Sequence, residues 1–344
     1  MNKIIYCLLV ISFLTNCTNI EKKYFNQSQK IEINCSPKVL SFLDHFCQTE
    51  IADSITRIYY IKYDTLYISD NLSDSIIAIS LDKTNDYTHY QLQKNKLLLL
   101  DGENVRVDIY EIDFLKNKSE FLRTVELAGL YNAKNSALLY AQANALFFRD
   151  TILYLKFGKF YEPANFTGKK VFYKINIFSS HPQLIDSFFQ YPSSITEKEV
   201  REKTTFLGAS KNDSLFYCGF ASSDEIQLMN MHSGKMIRKK YAQYANFKKY
   251  DDDKRTDLGY IRYYDLTNER NIYETFYKGK FIIIKKLKTE KLNQSPAYDL
   301  YILDENLRLL SLTSLNFQPG KNIFPYKSGI VVSDTTGKLN YYEI

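Results

Sequence analysis

Lys30-Ile31-Glu32-Ile33-Asn34-Cys35 alternates apolar and polar side chains, the signature of a strand with one buried face, yet no partner strand stands beside it in the sequence. At the far end the chain stops on Leu339-Asn340-Tyr341-Tyr342-Glu343-Ile344, another strand of this kind. Between the two, one unit recurs. A polar turn leads into an apolar strand at Asp64-Thr65-Leu66-Tyr67-Ile68, Asn95-Lys96-Leu97-Leu98-Leu99, Asp150-Thr151-Ile152-Leu153-Tyr154, Asp213-Ser214-Leu215-Phe216-Tyr217, Gly279-Lys280-Phe281-Ile282-Ile283 and Ser328-Gly329-Ile330-Val331-Val332. After a second turn each unit adds an alternating strand: Ile76 to Ser80, Val105 to Ile112, Val171 to Ile177, Ile226 to Met231, Tyr298 to Leu303 and Leu339 to Ile344. Five units then carry a further turn and strand, at Tyr87 to Leu92, Phe121 to Leu127, Leu184 to Phe189, Met236 to Tyr241 and Leu309 to Leu315. Period-2 stretches separated by turns such as Asp82-Lys83-Thr84-Asn85-Asp86 and His232-Ser233-Gly234-Lys235 read as antiparallel hairpins.

The sixth unit lacks its last strand, and residues 30–35 supply one. Head and tail together complete the sixth sheet and remove the open edge that a linear array would expose. Six units at a period of about fifty residues predict an all-β fold, a six-bladed β-propeller whose N-terminal strand closes the last blade. Seven blades, or a sandwich built from the same hairpins, are the alternatives. Two segments break the pattern between blades. Leu130 to Phe148, with Ala at 133, 137, 141, 143 and 145, reads as a short helix. Ser194-Ile195-Thr196-Glu197 reads as a capping box that opens a helix over Glu197 to Lys203.

The composition is compatible with this. The chain has 344 residues, 45% hydrophobic and 24% charged, enough for a large core. A disordered chain, a collagen-like fibre, a disulfide-dense mini-protein and a multi-span membrane protein are excluded. The 29 Tyr and 23 Phe suit a pleated, half-buried surface. The net charge is +6, or +5 without the first sixteen residues, which hold one Lys and no acid. Both signs are interspersed, so no nucleic-acid partner is expected.

The first residues read as an export signal. Lys3 precedes the apolar run Ile4 to Leu14, which is too short to span a bilayer as a helix but fits the core of a signal peptide. Leu14-Thr15-Asn16-Cys17 resembles the lipobox of bacterial lipoproteins. The resemblance implies cleavage before Cys17, diacylglyceryl attachment to its sulfur and acylation of the new N-terminus. Residues 1–16 would then be a lipoprotein signal peptide, 17–29 a tether and 30–344 the propeller domain. Several acyl chains are needed for durable anchoring, because one holds only marginally. Glu21 is followed by Lys22 and Lys23 rather than by an acidic run. Among Bacteroidota-type lipoproteins that favours the periplasmic face of the outer membrane over the cell surface. Cys7 leaves with the signal. Of Cys35, Cys47 and Cys218, an oxidising periplasm permits one bridge, most simply Cys35–Cys47, and Cys218 is expected to be buried and inert.

Tyr260-Ile261-Arg262-Tyr263-Tyr264-Asp265 through Arg270-Asn271-Ile272-Tyr273 resembles a recurring block of the Bacteroidota six-bladed, TolB-like β-propeller lipoproteins of unknown function. Phe324-Pro325-Tyr326-Lys327-Ser328-Gly329-Ile330 is similar to the final blade of that family. The resemblance spans the mature chain. It implies the propeller and an envelope location, and no established activity. Within the first block, Arg262, Tyr263, Asp265, Arg270 and Tyr273 admit two readings. In one, Asp265 and Arg270 pin a hairpin as an ion pair. In the other, the group faces the axial channel and holds an acidic or sugar-like ligand by bidentate bonds and stacking.

Recognisable chemistry is sparse. Of His45, His89, His181 and His232, only His45 has a metal-ligand neighbour, Cys47, at i+2 or i+4, and no zinc spacing occurs among the Cys. There is neither a Gly-x-Ser-x-Gly elbow nor a phosphate loop. Asp251-Asp252-Asp253, followed by Lys254 and Arg255, reads as a solvated loop rather than a calcium site. No catalytic residue, metal or cofactor is expected. The functional expectation is a membrane-anchored binding or interaction module for a glycan, a peptide or an envelope protein. A propeller hydrolase or lyase acting on oligosaccharides is the alternative, and would need carboxylates, His or Arg converging at the channel mouth. A structural member of an envelope complex is the third reading.

Overall fold

The computed structural model describes residues 30–344 other than 46, 53–54, 83–86, 88, 102–103, 105, 128–129, 131–145, 150, 157–169, 178–180, 191, 193–204, 210–214, 222, 231–232, 234, 241–268 and 290–294. Six four-stranded antiparallel sheets follow one another along these residues. The first holds β2 (Gln48–Ala52), β3 (Ile55–Lys62), β4 (Thr65–Asp70) and β5 (Ile76–Ser80). The second holds β6 (His89–Gln93), β7 (Lys96–Asp101), β8 (Arg106–Asp113) and β9 (Lys118–Glu126). In the third are β10 (Leu146–Arg149), β11 (Ile152–Lys156), β12 (Lys170–Asn176) and β13 (Gln183–Gln190). In the fourth are β14 (Thr205–Ala209), β15 (Leu215–Phe220), β16 (Glu225–Asn230) and β17 (Met236–Lys240). The fifth contains β18 (Arg270–Tyr277), β19 (Lys280–Lys286), β20 (Tyr298–Leu303) and β21 (Leu309–Leu315). The sixth contains β22 (Pro319–Tyr326), β23 (Gly329–Asp334), β24 (Leu339–Glu343) and, as its outer strand, β1 (Lys30–Ile33).

First strands of neighbouring sheets adjoin: β22 meets β2, β2 meets β6, β6 meets β10, and β14 meets β18. They therefore line the axis. The fold is a six-bladed β-propeller whose N-terminal strand completes the last blade, with Lys30 opposite Tyr342 and Ile33 opposite Leu339.

A blade has two faces, and each must be covered by the next blade. Six apolar clusters do this, one at every seam of the ring. Leu98, Leu100, Val107 and Ile109 of blade two meet Leu153, Leu155, Ile175 and Ile177 of blade three. Tyr154, Phe172, Phe188 and Phe189 of blade three meet Phe216, Cys218 and Phe220 of blade four. The remaining seams are built the same way. This explains the apolar runs in the sequence. Leu97 to Leu100, Phe281 to Ile284 and Ile330 to Val332 are buried along their length because both faces of their strands touch a neighbour. Outer strands such as β9 alternate, since only the blade lies behind them.

The order of strands corrects the sequence reading in blade one. Five of the six turn-and-strand units fall on the second strand of a blade, but Asp64 to Ile68 leads into β4, the third. Tyr87 to Leu92 does not close blade one; its strand, β6, opens blade two by pairing with β7. The displaced strand is β2. Its pattern is weak because it lines the axis, where Ile51 stays 39% exposed. Helix α1 (Pro37–Leu43) also went unforeseen, although Ser36 caps it by accepting the Val39 N–H at 3.3 Å and Pro37 stands at its first turn. Of the helix expected over Leu130 to Phe148, residues 131–145 lie outside the described residues and 146–148 belong to strand β10. The helix expected over Glu197 to Lys203 lies outside them too, as do Cys17, the signal and the tether.

The last seam is closed by more than apolar contact. Val39, Phe42 and Leu43 of α1 pack with Ile58, Tyr60, Phe324, Val331 and Leu339. Asn322 on β22 reaches across: its Nδ2 donates to the carbonyls of Leu43 (2.5 Å) and His45 (3.1 Å), and its Oδ1 accepts the Cys47 N–H at 3.0 Å. Cys35 and Cys47 are free thiols in this structure. The Cys47 thiol faces the carbonyls of His45 (3.4 Å) and Phe42, and burial pushes it up to about 12. Cys218 is fully buried at the seam of blades three and four, as a packing residue.

Removal of residues 1–33 should lower the melting temperature, and a synthetic peptide carrying residues 28–36 should restore part of the loss. Indistinguishable melting curves with and without the strand would refute its closing role. Asn322→Ala should cost about 2–3 kcal/mol in chemical denaturation, because it strands three buried backbone groups.

Candidate functional site

The opening end of β18 gathers the charged side chains of blade five. Arg270 lies opposite Lys286, and Lys286 opposite Tyr298. Asn271 lies opposite Lys285, and Lys285 opposite Asp299. Residues directly opposite one another share a sheet face. The Asn271 row faces blade four. There the Asn271 N–H donates to the Ala221 carbonyl at 2.7 Å, and its side chain donates to the carbonyls of Phe220 (3.3 Å) and Ser223 (3.5 Å). Lys285 is only 1% exposed, with Nζ 5.5 Å from the centre of the Tyr301 ring. Burial lowers its pKa, while Glu269, Asp224 and Asp299 act in the opposite sense. Asp299 is held by the Ser314 hydroxyl at 2.7 Å and the Tyr301 hydroxyl at 3.5 Å.

The other face, towards blade six, carries cation beside cation. Arg270 is exposed and Lys286 is 4% exposed, with buried Tyr298 third in the row. Burial raises the Tyr298 hydroxyl, and the Arg270 charge partly offsets this. Three residues of plain strand would turn Tyr273 away from Arg270. A register shift between Asn271 and Tyr273 absorbs one residue, so Tyr273 pairs with Ile284 and returns to the Arg270 face. Bulges re-aim side chains in this way. Tyr273 is half-buried, with its hydroxyl enclosed and bonded to the Thr275 side chain; burial pushes it up. The structure thus brings together two of the predicted ligand residues, Arg270 and Tyr273, and adds Lys286 and Tyr298. Arg262, Tyr263 and Asp265 lie outside the described residues. Among the described residues no group of three or more His, Cys, Asp or Glu converges to hold a metal.

No family model matches the chain, and no curated protein matches it. Solved structures do. A member of the DUF4221 family from Bacteroides vulgatus superposes with a TM-score of 0.65 at 10% identity, over 93% of this chain and 97% of that one. A Bacteroides fragilis protein named for its inferred export superposes with a TM-score of 0.55 at 9% identity, over 92% and 95%. The likeness is one of fold. Both neighbours come from Bacteroides, in keeping with the Bacteroidota propeller resemblance read from residues 260–273 and 324–330.

One residue on β18 stands apart. Glu274 is 1% exposed, and neither carboxyl oxygen has a hydrogen-bond partner. It faces blade four against Gly219 of β15, where any Cβ would overlap the carboxyl group. Tyr217, two residues before Gly219, directs its hydroxyl to the Glu274 carbonyl at 3.5 Å. Burial pushes the Glu274 carboxyl up to about 8. Sequence reasoning stopped at Tyr273 and missed this group. Two signals were present: an acid inside an aromatic strand, and a glycine inside the apolar strand Leu215 to Phe220, which marks a close approach.

The folded protein keeps the Glu274 proton up to about pH 8, whereas an ordinary carboxyl releases it near 4.5. Folding therefore takes up a proton between those values, and this contribution to stability is lost as pH rises from about 4.5 to about 8. Glu274→Gln should flatten that slope and stabilise the protein at pH 8, read from denaturation midpoints. Gly219→Ala should cost about 1–3 kcal/mol, and Glu274→Ala in the same chain should recover much of the loss.

Proposed function

We propose that the protein is an outer-membrane lipoprotein, held through acyl chains on Cys17 and facing the periplasm, whose propeller is a binding module. The supporting reading is sequential: an export segment, a lipobox-like Leu14-Thr15-Asn16-Cys17, a polar tether, then β1. The fold neighbour named for its inferred export points the same way. The observation that carries the binding role is the shared face of Arg270, Lys286, Tyr273 and Tyr298, with Arg270 exposed at the opening end of β18. Exposed Arg270, with Lys286 beneath it, suits an acidic ligand, such as a uronate-bearing glycan or an acidic peptide, through charge-assisted bonds, while the rings of Tyr273 and Tyr298 pack behind it in the seam. Arg262, Tyr263 and Asp265 are assigned to the same site on the sequence. A hydrolase or lyase is less well supported, because Asp299 lies on the opposite face and is committed to Ser314 and Tyr301.

Arg270→Ala should weaken binding of acidic oligosaccharides about tenfold or more, leave neutral ones unaffected, and not change the melting temperature. Equal binding of both classes by wild type and variant removes the site. Cys17→Ala should abolish incorporation of labelled fatty acid and release the protein from the membrane fraction; retention of label would refute the anchor.

A further inference from the structure

We propose that Glu274 is a proton-operated latch on the seam between blades four and five, closed while the carboxyl group is protonated and loosened when it is not. The latch needs neither the ligand nor the anchor reading to hold. Glu274 projects from the innermost strand of blade five onto the second strand of blade four, at the position where that strand carries Gly219. The carboxyl occupies the space a side chain there would fill. Both of its oxygens are buried and unpartnered. An uncharged acid tolerates such a place, whereas a carboxylate needs water or a cation.

No described cation is placed to neutralise it. From β15 the facing titratable group is Tyr217, whose hydroxyl is raised by burial and further by Glu274. β14 carries no titratable residue. On the same face of blade five, β19 contributes Lys285, engaged with Glu269, Asp224 and Asp299, and β20 contributes Tyr301 and Asp299. On β18 itself Tyr273 points to the opposite face. Burial is the one influence acting on the Glu274 carboxyl.

Ionisation therefore has two outlets: the proton stays, or the seam parts to admit water. Asn271, three residues along β18, bonds three backbone carbonyls of blade four, and Arg270 precedes it. A parted seam would release these bonds and displace the opening end of the strand.

Two measurements test this on the intact mature protein. Infrared spectroscopy at neutral pH should show a free-acid carbonyl band that is absent from Glu274→Gln. Hydrogen exchange, corrected for intrinsic rates, should show protection of β15 and β18 falling about tenfold per unit between pH 5 and 8 and then levelling, while β7 and β8 stay protected. Glu274→Gln should hold β15 and β18 at constant protection. The latch is overturned if wild type lacks the acid band at neutral pH. It is equally overturned if protection falls alike in all blades, or falls alike in the variant. Should the variant not fold, the wild-type band and exchange profile still decide.

Discussion

The pairing of β1 with β24 is the constraint on which the rest of the molecule depends. No blade covers itself: the strands of each present apolar side chains on both faces and rely on two neighbours. In a row of six blades two faces would remain open. Closing the row into a ring removes them, and the ladder that closes it joins residues more than three hundred positions apart. β1 is itself mostly exposed, so it adds little apolar burial. It acts through its ladder to β24 and through the chain on its C-terminal side, where α1 and the segment to Cys47 are drawn under Asn322. The ion pair Lys338–Glu32 at 2.8 Å is exposed on both sides and contributes little to that closure.

This architecture was legible because its physics is periodic. Second and third strands of blades are buried on both sides, so Leu97 to Leu100 or Ile330 to Val332 read as unbroken apolar runs between turns. The missing last strand of the sixth unit and the orphan at residues 30–35 fit one another for the same reason. Innermost strands were harder to read. They face a crowded axis on one edge and a sheet on the other, which demands no regular alternation. β2 was therefore invisible, and with it the fact that Tyr87 to Leu92 opens a blade. The Cys35–Cys47 pairing was open for a different reason. Spacing across a short loop says nothing about direction, and Cys47 points at backbone carbonyls.

The candidate site was half legible. Arg270 and Tyr273 stood out as charge and aromatic ring in one stretch, but strict alternation would have sent them to opposite faces. Only the register shift between Asn271 and Tyr273 reunites them, and bulges leave no reliable mark in a single sequence. Lys286 and Tyr298 come from strands far along the chain and enter the site by cross-strand pairing alone. Their contribution could not be read before the pairing was known.

Blade five concentrates the departures from the repeat. Its inner strand carries the bulge, Arg270 opposite Lys286 of β19, and the buried acid, while the strand it faces carries a glycine between Cys218 and Phe220. The buried acid costs stability, because a carboxyl without partners forgoes its hydrogen bonds. A fold that needed only to close would gain by replacing Glu274 with Leu against Gly219, which would give this seam the apolar filling seen between blades two and three. Chains tolerate such locally unfavourable choices chiefly where they act. Because the exposed Arg270 and the unpartnered Glu274 lie within five residues of one strand, that strand is the place to look for what this propeller does.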